Sequence, residues 1–496
     1  MPRTFRYPRP RPRGLLGRRF EADEQLVAGL GAALALLMLA VLPGTAVKLV
    51  VFVAVLGLCA AAVMLPYKGR TYLRWWEVRR SYRRLLRRGD LLYRSRAPMA
   101  GQTLAGRPSP VDAPVGVPAQ MQWFRARTAY GDVAFLLQPS EGLFTAVVEV
   151  EGQKNFGGLD WADQEGLVAA WETLLRQTAD AAGRISRLQW LARIVPVDPN
   201  AHARDAQARR EPKVAGWLHD SYEQLLQRVA ISAEDRRLFL VVGIRYSQDL
   251  VAEALRYRSL FEGYGIVLGK EVEAFIRTLG TAQLRWVRSL DEGGLASFIH
   301  HSYAPDHWLD DVRGMNRSTC WPAEMDAREP DLMASRGWET SRPWLHCTAW
   351  IKQFPTVSVG LNFLAPLLLY VPDVICTISV TMDLVPSDRA MEDAISDATN
   401  ELGQANTTPG KLTDPRERRE QRAATSTMEE IATGSAGVRL TGWVTISASD
   451  ADALEQSRGT IRAASTKSQL AIEWCDLEQY RAFANTLPLA CGLLRS

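Results

Sequence analysis

Two apolar runs separated by a short break dominate the start of the chain. Residues 26–42 read LVAGLGAALALLMLAVL, residues 43–48 read PGTAVK, and residues 49–65 read LVVFVAVLGLCAAAVML. Each run approaches the length that a helix needs to cross a hydrocarbon core of about 30 Å. Because Pro43 and Gly44 would break a single long buried helix, the pattern predicts a transmembrane helical hairpin over 26–66 whose spans satisfy their own backbone hydrogen bonds.

Basic residues flank both ends of this hairpin and predict its orientation. Seven arginines precede it, and eleven lysines or arginines follow it before residue 97. Since positive charge is retained on the cytoplasmic side, we expect a two-span protein of the inner (plasma) membrane with both termini and the main body in the cytoplasm. A cleaved signal peptide is disfavoured because a second span follows at once and no small-residue cleavage site separates the two.

Charge is divided unevenly along the 496 residues. The net charge is +4, but 19 of the 59 basic and 5 of the 55 acidic residues lie in 1–96, which leaves 40 basic and 50 acidic residues for 97–496. An acidic body disfavours a general nucleic-acid binder, so direct nucleic-acid contact by the body is not expected. The six cysteines form no CxxC pair, which fits unpaired thiols in a reducing compartment and neither a disulfide framework nor a zinc site.

The two basic segments that flank the hairpin are predicted to lie on lipid, and a linker follows the second. Residues 1–25 form a basic Arg/Pro arm, residues 67–96 a basic juxtamembrane helix and residues 97–119 a Pro/Gly linker. DNA contact by the arm is the alternative to lipid contact. Aromatic rings suit the interfacial belt of a bilayer, and arginines suit anionic headgroups. The expected membrane-interface residues are Arg74, Trp75, Trp76, Arg79, Arg80, Arg83 and Arg84.

The body repeats one order of elements in two halves. Residues 120–303 and 341–496 each read as alternating strands and helices, separated by an irregular connection over 304–340. Residues 161–181 are a predicted helix and residues 185–197 and 438–449 predicted strands, while RLFLVVGI at 237–244 predicts a strand buried on both faces. We therefore expect an α+β fold in which the hairpin is followed by two ferredoxin-like modules.

No stretch carries the signature of an enzyme or of a cofactor site. GYGIVLGKE at 263–271 approaches the phosphate-binding pattern GxxxxGK[ST], but Tyr264 stands where the first glycine is needed and Glu271 replaces the hydroxyl. A turn between helices is the preferred interpretation. His300, His301 and His307 lack partners at metal-ligand spacing. The sequence thus predicts no catalytic residue, no metal site and no cofactor.

Six stretches together resemble an actinobacterial conjugation-cluster membrane protein family. They are YGDVAFLLQPSEGLFTAVVEVEG at 130–152, LDWADQEGLVAAW at 159–171, HHSYAPD at 300–306, WLHCTAWIKQFP at 344–355, VTISASDADALEQSRGTIRAA at 444–464 and YRAFANTLPLACGL at 480–493. The chain is similar to a small two-span subunit of type IV secretion fused to the N-terminal, non-ATPase domain of the VirB-type conjugation motor. The last stretch resembles the ALPG-like turn before the motor's ATPase domain, whose phosphate-binding loop is missing here.

The resemblance implies a non-enzymatic scaffold in a DNA-transfer machine, docking a separate cytoplasmic P-loop ATPase to the membrane channel. Expected partners are membrane lipids, that conjugation ATPase and other secretion-channel subunits, within an oligomeric assembly. The expected contacts with the ATPase are exposed side chains near the C-terminal end, namely Tyr480, Phe483, Leu487 and Pro488; closure of the last module's core is the alternative. The competing functions are a type VII secretion membrane subunit and a membrane-tethered nucleotide-binding enzyme that uses Lys270.

Overall fold

One antiparallel sheet of 13 strands organises the protein. The computed structural model describes residues 66–67, 70–95, 113–152, 158–180, 184–196, 234–340, 342–355, 359–385 and 437–491, with isolated positions within 29–57 and 216–224. The strands of the sheet are β3 (Leu92–Arg94), β4 (Gln122–Thr128), β5 (Gly131–Gln138), β6 (Leu143–Glu151), β7 (Ile185–Pro196), β8 (Glu234–Arg245), β9 (Arg285–Ser289), β10 (Glu324–Asp326), β11 (Met333–Arg336), β12 (Trp344–Gln353), β13 (Ile375–Val385), β14 (Gly437–Ala448) and β15 (Ala471–Trp474). A separate hairpin pairs β1 (Pro66–Tyr67) with β2 (Arg70–Thr71).

Eight helices are described around this sheet. They are α1 (Tyr72–Arg88), α2 (Trp161–Asp180), α3 (Gln248–Ala254), α4 (Leu260–Leu279), α5 (Glu292–Tyr303), α6 (Ala365–Leu369), α7 (Ala451–Lys467) and α8 (Gln479–Ala484). Side-chain caps fix several of their starts: Ser259 accepts from the amide of Glu262 before α4, and Asp450 accepts from the amide of Ala453 before α7. A cap of this kind pairs an amide that the first helical turn leaves without a partner.

The strand order joins the two halves into one sheet. It runs β3-β10-β11-β12-β14-β13-β7-β8-β6-β5-β4, with β15 beside β12 and β9 beside β6. Strand β13 pairs with β7 from Cys376 opposite Ile194 to Asp383 opposite Arg187. The expected pair of ferredoxin-like modules is therefore wrong. Because both strands are long and largely buried, pairing them satisfies backbone groups that two separate modules would leave at open edges.

Side chains of the central strands alternate between two differently covered faces. On β7, Leu188 packs in the core beneath α3 and α4, and Ile194 packs in the core beneath α6 and α7. We call this side the helix-covered face. The opposite side, which carries Leu191, lies against α5, residues 304–333, α8 and the residues after it. We call it the C-terminal face, and it contains the groups that follow.

The predicted basic helix and irregular connection both contribute to the sheet. Helix α1 ends at Arg88, after which β3 pairs with β10 of the 304–340 segment. Tyr82 and Leu91 are buried in the core of the C-terminal face. The segment expected to lie beside a membrane is thus packed against the body. The predicted arm at 1–25 and most of the linker at 97–119 fall outside the described residues.

The prediction of a transmembrane hairpin and of a two-span membrane localisation is corrected. Among the residues that the structure describes, no helix is both long and apolar enough to cross a bilayer. The 20-residue helix α4, for example, carries Glu262, Lys270 and Arg277, and charges at such depth are costly in lipid. Most of 26–66 lies outside the described residues.

Candidate functional site beneath the C-terminal segment

A row of polar side chains crosses the C-terminal face of the sheet. In register, Arg193 of β7 stands opposite Thr377 of β13, Thr377 opposite Thr445 of β14, and Thr445 opposite Thr348 of β12. All four residues are at most 3% exposed. Since a buried polar group is costly unless it is hydrogen-bonded, this row requires partners in the layer above it.

Residues 485–491, which we call the C-terminal segment, supply many of those partners through their backbone. The Gln189 side chain donates to the carbonyls of Asn485 (3.1 Å) and Leu487 (3.0 Å) and accepts from the amide of Ala490 (2.7 Å). Ser379 also donates to the carbonyl of Asn485, at 2.8 Å. One buried glutamine therefore holds the segment at three points.

Three further strand residues bind the end of the C-terminal segment. Gln138 of β5 donates to the carbonyl of Leu489 at 2.6 Å, Arg187 of β7 to that of Ala490 at 2.9 Å, and Thr381 of β13 to that of Cys491 at 2.8 Å. The acceptors are consecutive carbonyls, and the donors come from three strands of both halves. The backbone of the segment is thus bound by the sheet, while its side chains Leu487, Leu489 and Ala490 pack in the core of the C-terminal face.

The residues predicted to contact an ATPase lie inside this interface. Tyr480, Phe483 and Leu487 are 4%, 2% and 0% exposed, and Pro488 is also buried. The Phe483 ring lies 4.7 Å from that of Tyr303 and 5.0 Å from that of His346, between centroids. The expected exposure is wrong because these apolar side chains fill the space between α8, α5 and the sheet. Their role in partner binding stays a prediction.

Four of the chain's six histidines gather on the C-terminal face. The hydrogen bonds of His301 and His346 define the tautomer of each. His301 Nδ1 donates to the carbonyl of His307 at 2.5 Å, so its Nε2 accepts from Arg193 Nε at 3.2 Å. Ser335 donates to the carbonyl of Tyr303, so His346 Nε2 donates to Ser335 Oγ at 2.7 Å and Nδ1 accepts from Ser447 at 2.8 Å. Both rings are neutral, with both nitrogens engaged.

Burial keeps the histidines unprotonated. It lowers the pKa of His300 to about 4 and of His346 to about 3, and it lowers the pKa of His301 well below its usual value. The nearby Arg193 cation lowers the last two further. With their ring nitrogens already bonded within the protein, His301 and His346 act as structural connectors between α5, β11, β12 and β14. Among the residues described, no group of three metal-ligating side chains forms a metal site.

Arg193 is a buried cation with an incomplete set of partners. Its Nη1 donates to Thr377 at 2.8 Å, whereas Nη2 has no hydrogen-bond partner in the described part of the chain. Burial lowers the pKa of Arg193 to about 10. The neighbouring carboxylates of Glu149 and Asp310 are instead bound by Arg237 and Arg288, at 2.6–3.0 Å. Within the described residues, the histidine–arginine group, by which we mean Arg193 with His300, His301, His307 and His346, is consequently cationic and has no carboxylate of its own.

The stretch that approaches a phosphate-binding loop is helical throughout. Gly263, Gly265 and Gly269 all lie within α4. A Cβ at Gly263 would meet the carbonyl oxygen of Ala254 at 2.0 Å, and one at Gly265 would meet that of Arg125 at 3.0 Å. The glycines therefore allow α4 to approach α3 and β4 closely. The expected turn between helices is wrong, and Lys270 lies exposed on the helix, donating to the Tyr257 hydroxyl at 3.2 Å.

Helix α1 holds the residues predicted to lie at a membrane interface. Trp75 is half-buried, and Trp76, Arg79, Arg80, Arg83 and Arg84 are exposed, whereas the Arg74 side chain lies outside the description. These residues share one helix but are far in the chain from the histidine–arginine group. The structure thus separates a buried polar centre from an exposed basic surface.

Sequence reasoning missed Gln189, Arg193 and the polar residues of β13. The available signal was the alternation of Thr377, Ser379 and Thr381 with apolar residues, which ordinarily indicates a solvent-facing side of a strand. Comparison with protein-family models and with curated proteins finds no match to this chain. Its function is therefore inferred from the residues and their geometry.

Proposed function

We propose that the chain is a non-enzymatic scaffold of a type IV-like conjugative secretion machine that docks a separate P-loop ATPase. The observation that carries this proposal is the convergence of the stretches that resemble the conjugation motor's non-ATPase domain. These stretches are distant in sequence, yet five of them contribute to the C-terminal face. Stretches that belong to one domain architecture are expected to pack together in this way.

The contacts between these stretches are direct. Tyr303, from the HHSYAPD stretch, presents its carbonyl to His346 of the WLHCTAW stretch at 3.1 Å. Phe483 of the last stretch packs on both rings. Gln138 of the first stretch binds the carbonyl of Leu489. The resemblance therefore concerns residues that build one interface, which favours a scaffold organised like the motor's N-terminal domain.

An exposed aromatic surface offers a docking site for the ATPase. Phe261, Tyr246 and Leu255 are 68%, 45% and 64% exposed. The Phe261 ring stacks on Phe124 at 5.4 Å, and Phe144 lies 5.9 Å from Tyr246. Core packing thus holds the exposed rings in place. Rigid aromatic side chains are the usual anchors of protein interfaces, so we assign Tyr246, Leu255 and Phe261 as the docking surface.

Affinity purification from native cells tests the docking. We expect the tagged wild-type protein to co-purify with a protein identified as a P-loop ATPase, and the double variant Tyr246→Ala/Phe261→Ala to lose it. The matched control is Leu369→Ala/Tyr370→Ala, which removes two side chains of similar exposure, 51% and 70%, on and after α6. Equal recovery of the ATPase with both variants would reject the docking surface, and its absence from the wild-type eluate would reject the scaffold.

Hydrolysis assays on the purified protein address the enzymatic alternative. We expect no ATP turnover by the isolated chain and no effect of Lys270→Ala on function in cells, since Lys270 lies in the middle of a helix. Turnover that Lys270→Ala abolishes would overturn the scaffold assignment. Recovery of type VII secretion components in the eluate would instead assign the chain to that machine.

A further inference from the structure

Helix α1 presents two series of arginines to solvent. Arg79, Arg83 and Arg87 form one series and Arg80, Arg84 and Arg88 the other, and all six are exposed. Members of a series follow at steps of about 6 Å along the helix axis, given a rise of 1.5 Å per residue. Within the residues that the structure describes, none of the six forms an ion pair. Apart from Glu77, every charged residue of the helix is basic, so the helix presents a dense positive charge.

The apolar side of α1 is already used by the protein. Tyr82 is 7% exposed, its hydroxyl donates to the carbonyl of Arg328, and Leu85 packs against the same core. A helix that lies in a lipid interface needs a free apolar stripe to bury. Among the side chains of α1 that the structure describes, the exposed Trp76 and Leu86 do not form one, because they stand ten residues, or about 15 Å, apart along the axis. We therefore expect α1 to bind a ligand through the charges of its arginines.

An aromatic ring lies among these charges. Trp76 is 52% exposed, and the guanidinium of Arg80 lies 5.2 Å from its ring centroid. Single-stranded nucleic acid is bound by basic surfaces that follow the phosphates and by aromatic rings that stack on unpaired bases. We propose that α1 binds single-stranded nucleic acid, its six arginines contacting the phosphates and Trp76 stacking on a base.

This binding is confined to one helix and is independent of the proposed docking of an ATPase. Residues 97–496 carry an excess of acidic residues, so phosphate contacts by the body are disfavoured. The docking surface lies on and beside α3 and α4, whereas the arginine series lie on α1. Variants of either surface leave the other unchanged.

Fluorescence anisotropy with a labelled oligothymidylate of 20 nucleotides tests the arginines in the full chain. Each phosphate contact with a single strand contributes about −0.7 to the slope of log affinity against log salt. We expect each triple alanine variant, at 79/83/87 or at 80/84/88, to reduce the magnitude of the slope by about 2. The control is Arg125→Ala/Arg127→Ala/Arg277→Ala, three exposed arginines on β4 and α4, which should leave the slope unchanged.

Trp76→Ala tests the stacking with the charges intact. Base–aromatic stacking is worth about 1–3 kcal/mol, so the affinity should fall at least about five-fold. Trp161→Ala, which removes a tryptophan 39% exposed on α2, is the control and should have no effect. Unchanged slopes in both triple variants, or an equal loss in the arginine control, would overturn the proposal. So would tighter binding to phosphatidylserine vesicles that displaces the oligonucleotide, since the ligand would then be lipid.

Discussion

Replacement of Gln189 by leucine should release the C-terminal segment from the sheet. Gln189 is 0% exposed and makes three hydrogen bonds to the segment's backbone. Leucine is similar in size and replaces the amide with an apolar group. The variant therefore removes the bonds with little change in packing volume.

The expected cost follows from the partners that remain. The amide of Ala490 loses its partner and becomes a buried unpaired donor, which costs about 1–3 kcal/mol. The carbonyl of Asn485 keeps its hydrogen bond from Ser379, and the carbonyl of Leu487 keeps its hydrogen bond from the amide of Leu489. Each carbonyl therefore loses only the bond from Gln189, which is worth about 0.5–1.5 kcal/mol. We expect Gln189→Leu to lower the free energy of unfolding by about 2–6 kcal/mol in total.

Urea denaturation and hydrogen exchange measure this effect separately. Denaturation gives the loss of global stability, and mass spectrometry of peptides covering 485–491 reports local opening. Thr381→Val removes a single bond to the carbonyl of Cys491 and should cost only about 1 kcal/mol. If Gln189→Leu unfolds within about 0.5 kcal/mol of the wild type and the peptides exchange no faster, the segment is not held by this glutamine and the reasoning is refuted.

Three other predictions concern stability, each measured by denaturant unfolding. Because the pKa values of the three histidines are lowered, the unfolded chain binds more protons, and stability should fall as the pH drops from 6.5 to about 3; a flat profile there would contradict the neutral assignment. Gly263→Ala should cost about 1–3 kcal/mol through overlap with Ala254, whereas Gly166→Ala, in open space within α2, should add about 0.5–1 kcal/mol; equal effects would refute the packing role. Glu149→Leu removes the buried carboxylate that Arg237 and Arg288 share and leaves Arg237 only the exposed Asp310, so it should cost about 3–5 kcal/mol, but Asp310→Asn, at an exposed carboxylate, under about 1 kcal/mol; the reverse order would exclude Glu149 as the main counter-charge.

The individual elements of the body were predictable because their patterns are local. The helix expected at 161–181 is α2, and the strands expected at 185–197 and 438–449 are β7 and β14, each within a residue or two. The strand expected at 237–244 lies within β8. Hydrophobic periodicity and flanking turn residues specify such elements without knowledge of their neighbours.

The assembly of these elements was not predictable from the same patterns. Whether β7 ends a module or pairs with β13 depends on contacts between residues almost 200 positions apart. The alternation of residues along a strand likewise indicates that Thr377 and Ile378 lie on opposite faces of the sheet, but it does not indicate that both faces are buried. The prediction of a turn at the glycines of α4 was wrong because glycine is needed there for close packing against Ala254 and β4, and such contacts are not visible in the sequence of the helix.

The way in which the C-terminal segment is held has a mechanical consequence for a scaffold. Its carbonyls are bound by Gln138 of β5, by Gln189 and Arg187 of β7, and by Thr381 of β13. These strands belong to both halves of the sheet, and β7 and β13 form the pair that joins the halves. A force applied at this end is therefore distributed over the centre of the sheet rather than over one edge strand.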